Sequence, residues 1–237
     1  MNDEAPAIPA TPEVVGPTIP GPGPGQAVGY SLLWALAMAV SAGMVLLLGR
    51  LLELGRIFTW SVCLTLGYAL ASAFMVWLII RNSGGNWRPY FPLRRTGIRG
   101  IAITVVAGVA IVYGVVTLLG LLPFYDRIRL HLTGDDFRPA VLVLCVRGVV
   151  GPIFEELMFR GWILYGFMNR YTPRKAIVLS SLLFGLLHLN PVMIAYAFLI
   201  GCLFAWMVKR TGSLNPAIAA HIVANTMATI LGIIATR

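Results

Sequence analysis

Seven long apolar runs, separated by short breaks, constrain this chain more than any other feature. They fall at roughly 28–49, 57–80, 100–122, 139–168, 173–189, 191–208 and 214–235. Most approach the length of about 20 residues that a helix needs to cross a bilayer core. In lipid every backbone N–H and C=O must find its partner within the protein, so such runs fold as helices. Composition agrees. Of 237 residues, 58% are hydrophobic and 11% charged, against roughly a quarter charged in a soluble domain. The sequence therefore predicts an all-α, polytopic membrane helix bundle of about seven transmembrane helices. It excludes a soluble globular protein, and the length leaves no room for a large soluble domain.

Residues 1–27 differ from the rest. They hold 7 of the 15 prolines, several glycines, and only Asp3, Glu4 and Glu13 as charges. Such a stretch cannot bury a core and reads as a disordered or polyproline-like tail. It has no basic region leading into an apolar one, so it is not a signal peptide. The expected division is a 1–27 tail and a 28–237 membrane domain.

The net charge is +9, but the Lys and Arg residues cluster in short loops rather than in a stripe interleaved with aromatics. Nucleic acid is therefore not an expected partner; positive-inside bias explains the charge. With the N-terminus in the cytoplasm, the inner loops hold ten basic residues and the outer side six, Arg147 and Arg160 lying within the fourth run. The expected location is an integral membrane one, N-terminus cytoplasmic. Cys63, Cys145 and Cys202 each sit in an apolar run without ligand spacing, and read as packing residues.

Prolines mark three helix starts: Thr172-Pro173, Asn190-Pro191 and Asn215-Pro216, each a polar residue followed by proline at the first helical position. The mixed segment 123–138, which carries His131, is expected at the interface. No internal repeat suggests a transporter built of inverted halves.

An ionisable residue inside a membrane span is costly and is a functional candidate by default. Of nine acidic residues only Glu155 and Glu156 lie well inside an apolar run; of three histidines, His188 and His221 do. The fourth run reads GPIFEELMFRG. Glu156 and Arg160 are four apart and can pair on one helix face, while Glu155 is turned about 100° away. Pro152, just upstream, removes a backbone hydrogen bond and is expected to kink the helix. Phe184 and His188 share a face of the fifth run, and His221 and Asn225 a face of the seventh. Singly, each of these groups reads equally well as an interhelical hydrogen bond. Together they supply a base, donors and a partner for water. Arg147 reads as structural, pairing with a carboxylate or reaching for a headgroup.

Other intramembrane hydrolases lack support. There is no HExxH, no GxSxG, no serine placed with a histidine, and no aspartate pair within the spans. What is left is carboxylate and imidazole acting on water.

Three motifs, Glu155-Glu156-x-x-x-Arg160, Phe184-x-x-x-His188 and His221-x-x-x-Asn225, stand in this order within about 70 residues. This pattern resembles the CPBP family (CAAX proteases and bacteriocin-processing enzymes, also called the Abi family). The resemblance covers roughly 140–230 and extends to Gly161 and the TGSLNPAIAAH stretch. The seven runs counted stand against the family's usual eight helices.

The resemblance implies an intramembrane glutamate-type endopeptidase acting on a membrane-associated or lipidated protein or peptide. Glu155 with His188 would hold and deprotonate a water. His221 and Asn225 would donate hydrogen bonds to the oxyanion. Glu156 and Arg160 would position the site, and Phe184 would line it. No cofactor is expected. The metalloprotease alternative would place zinc on Glu155, His188 and His221, with Glu156 close by. It is disfavoured because Arg160 sits beside the carboxylates and no two histidines share a helix turn. The short chain looks like a prokaryotic member, hence a prokaryotic cell membrane. Two other classes stay open: a non-catalytic membrane partner, such as an immunity or regulatory protein, and a proton-coupled transporter.

Overall fold

The computed structural model describes residues 21–51, 56–86, 88–120, 144–188 and 191–235. Residues 1–20 and the expected interfacial segment 123–138, with His131, lie outside the described residues. The described part is helical, and no strand occurs among the described residues. Seven helical segments stand where seven apolar runs were read: α1 (Pro24–Leu51), α2 (Arg56–Asn82), α3 (Ile98–Gly120), α4 (144–168), α5 (Pro173–Leu186), α6 (Pro191–Thr211) and α7 (Asn215–Ala235). Helix α1 begins at Pro24, inside the expected tail, with proline at the first helical position, where its missing N–H costs nothing. Over the described residues one helix, α6, is long and apolar enough to cross a membrane by itself; Ala69–Asn82 and Ile98–Ile111 are shorter apolar stretches.

Helix α4 is not uniform. Its turns over Leu144–Val150 and Leu157–Ile163 are of the wide π type and enclose an α-helical stretch, Gly151–Glu156. Proline at 152 has no N–H to return to residue 148, so the hydrogen-bond ladder is interrupted where the first wide turn ends. The chain stays helical through this point, with Val150 at φ −66°, ψ −49°. The expected kink is thus realised as a change of helix pitch.

Helices α5 and α6 pack side by side, α7 lies against α3, α4 and α6, and α1 lies along α2. The short loops at one end of the bundle are tied together. Leu214 N donates to Pro92 O (2.9 Å), and Ser213 Oγ and Asn215 Nδ2 both donate to Arg94 O (2.8 and 2.9 Å). A single turn at Arg88–Tyr90 lies against Gly161 of α4, where a Cβ would stand 2.6 Å from Tyr90 O. The buried core is centred on α4, with Phe159, Ile163 and Leu164 fully enclosed, and Phe204, Ala205 and Val208 of α6 facing it. By contrast Leu32, Leu36, Met44 and Leu47 of α1 and Ile103 and Val106 of α3 are exposed, a large apolar outer surface.

Candidate active site

The two glutamates of α4 diverge as their spacing requires. Glu156 is fully buried and its Oε1 accepts from Arg160 Nη1 at 2.9 Å. The same oxygen lies 2.8 Å from His221 Nδ1. A carboxylate only accepts, so His221 carries its proton on Nδ1. Glu156 is therefore fixed by two donors from two helices. The Arg160 guanidinium lies over the Phe184 ring at 4.3 Å, a contact favourable to a cation out of water. Phe184 in turn meets Phe159, His188 and His221 edge-on, at 5.1, 5.1 and 5.9 Å between ring centres.

Glu155 faces elsewhere. It lines a cavity of about 90 Å³ together with His188, Trp34, Phe159, Phe184 and Leu187. That space exceeds the roughly 10–15 Å³ needed by one water. His221 is not part of that lining, but its Nε2 lies 3.7 Å from Glu155 Oε2. His188 follows the last turn of α5, and its Nδ1 lies 3.1 Å from Phe184 O. A carbonyl also only accepts, so Nδ1 is the donor; in the neutral ring Nε2 is left as acceptor.

The structure thus gathers Glu155, Glu156, Arg160, Phe184, His188 and His221 into one cluster. Asn225 stands apart from the cavity lining. Its Nδ2 donates to Arg147 O at 3.2 Å, joining α7 to the first wide turn of α4, and the Arg147 side chain lies on the exposed face. Two features are absent from the motif reading. Trp34 of α1 forms part of the cavity wall, and the Glu156–His221 contact joins two motifs directly. Neither is visible in local spacing, because each depends on how distant helices pack. Among the described residues no group of three His, Cys, Asp or Glu side chains is placed to hold a metal ion.

Residues 137–227 match the family described as Type II CAAX prenyl endopeptidase Rce1-like. All three motifs lie inside that span. This segment is similar to the Rce1-like family over those residues. A relative from Bacillus subtilis (strain 168), named "Putative membrane peptidase YdiL", is 30% identical over 97 residues. That alignment covers 41% of this chain and 40% of the relative. No solved structure matches the chain. The matched residues take in α4–α6 and the first part of α7; α1–α3 precede them.

Proposed function

We propose that the chain is an intramembrane endopeptidase that hydrolyses a peptide bond of a membrane-associated protein or peptide through a glutamate-activated water. The observation that carries this is the unequal treatment of the two carboxylates. Glu156 is tied through Oε1 by both Arg160 and His221. Glu155 opens with His188 onto a cavity large enough for water. The Rce1-like match and the peptidase-named relative support the same class of reaction.

In this reading the water donates one hydrogen to Glu155 and the other to His188 Nε2, so that its lone pair faces the scissile carbonyl. Attack forms the C–O bond while Glu155 takes a proton; collapse breaks the C–N bond as that proton passes to the leaving amine. General-base assistance of this kind is worth about 10²–10⁴ in rate. His221, held through Nδ1 by Glu156, turns Nε2 toward Glu155 and acts from there as the donor to the oxyanion. Such a donor contributes about 10²–10³. Asn225 positions the site by holding the start of α4, since its amide is given to Arg147 O. The bundle spans the membrane as seven helices, with the tied loop end and the N-terminus in the cytoplasm. The exposed apolar faces of α1 and α3 support that placement. A bound metal is not part of this reading.

The test is hydrolysis by the purified protein in lipid vesicles, with Glu155→Gln and His188→Ala compared with wild type at equal folded abundance. Each substitution is expected to lower turnover at least about 10²-fold. Normal turnover by either variant contradicts the assignment.

A further inference from the structure

The wall of the catalytic cavity that faces α1 is supplied by one side chain, Trp34. It comes from outside the Rce1-like segment, which begins at residue 137. Its placement follows from a register of contacts between α1 and α4. Gly21 meets Gly166 so closely that a Cβ on Gly166 would stand 2.5 Å from Pro22 O. Arg170 Nη1 donates to Gly21 O (3.2 Å), Pro22 O (3.4 Å) and Gly166 O (3.0 Å), closing a latch at this end. Further along, Tyr30 stacks on Trp162 with ring centres 4.6 Å apart. Trp34 then arrives over Glu155 and Phe159. Contacts 21 to 166, 30 to 162 and 34 to 155–159 run in opposite chain directions, so the first turns of α1 lie antiparallel on α4.

Trp34 also has a second face. It borders a small, mainly apolar space of about 10 Å³ between α1, α2 and α4, lined among others by Met75, Ile79 and Phe154. The indole therefore separates the catalytic cavity from this space. Removing it merges the two and deepens the site next to Glu155.

We infer that Trp34, held in register by the Gly21–Pro22/Gly166/Arg170 latch, sets the size of the substrate side chain accepted beside the scissile bond. This rests on the peptidase reading above. The ligand chemistry is an apolar side chain: apart from Glu155 and His188, the cavity wall is aromatic and aliphatic. Trp34 is a specificity residue and takes no part in proton transfer. A hydrophobic wall discriminates steeply, since a single methylene is worth about 10–200-fold in specificity.

The experiment reads the residues flanking cut sites. Peptides from membranes of cells expressing wild type, Trp34→Phe, Trp34→Ala or Gly166→Ala are sequenced, and only cuts absent with Glu155→Gln are counted. Trp34→Ala is expected to raise cuts beside large aromatic residues about tenfold relative to cuts beside small aliphatic ones. Trp34→Phe should shift the same ratio less, and Gly166→Ala, which displaces the latch, should shift it in the same direction. If Trp34→Ala does not accumulate, Trp34→Phe decides. An unchanged ratio, or a uniform fall in all products, overturns the inference while leaving the peptidase reading intact. Absence of any Glu155-dependent cut overturns the peptidase reading instead.

Discussion

At the residue scale the site is organised by Glu156 rather than by the glutamate that faces the cavity. A fully buried carboxylate is tolerated only when its charge is met by donors, and Arg160 and His221 both reach the same oxygen. Removing one partner of a buried ion pair costs about 3–5 kcal/mol, because the remaining charge is stranded. Arg160→Met is therefore expected to lower thermal stability in detergent sharply, and Arg160→Met with Glu156→Gln to recover much of the loss. A double variant no more stable than the single one contradicts this coupling. The pairing of Glu156 with Arg160 was legible from their spacing of four residues. The Glu156–His221 bond was not, because residues 65 apart meet only through the packing of α7 on α4. Likewise the contact of Asn225 Nδ2 with Arg147 O, which takes one of its two amide hydrogens, depends on how α7 meets α4.

At the element scale, the helices were legible because apolar length and proline placement both report local physics. Pro173, Pro191 and Pro216 each stand within the first two positions of their helices. Thr172 occupies the cap position before α5, but its side chain makes no capping bond; its carbonyl accepts from Ala176 N instead. The wide turns of α4 were not legible beyond the hint of Pro152, since pitch depends on how the helix is gripped by its neighbours. One such grip is at Gly161, where the Arg88–Tyr90 turn presses on the helix. Gly161→Ala must push Tyr90 O or the helix aside and is expected to cost about 1–3 kcal/mol. Chemical denaturation in mixed micelles checks this; an unchanged midpoint contradicts it. Asn225→Ala removes a single hydrogen bond between α7 and α4 and should cost about 1 kcal/mol.

At the scale of the whole molecule, the segment similar to the Rce1-like family, 137–227, follows an N-terminal half that the match does not cover. The matched segment carries the charged cluster. The N-terminal half contributes Trp34 to the cavity and the Arg88–Tyr90 turn that backs α4. The proposed orientation follows from ten basic residues against six, and predicts that thiol reagents excluded from the cell label a cysteine placed at residue 53 and spare one placed at residue 84. The reverse pattern would invert the bundle. The central claim is that Glu155 activates water for peptide hydrolysis, and its most direct test compares wild type with Glu155→Gln in membranes of matched cells lacking the native protein. Mass spectrometry of all peptides, with the reaction run in ¹⁸O water, reads both the new C-termini and the origin of their oxygen. The account predicts labelled C-termini present with wild type and absent with Glu155→Gln at equal protein abundance. Identical peptide sets from the two proteins would contradict it and favour a non-catalytic membrane partner that uses the same cluster to hold its helices together.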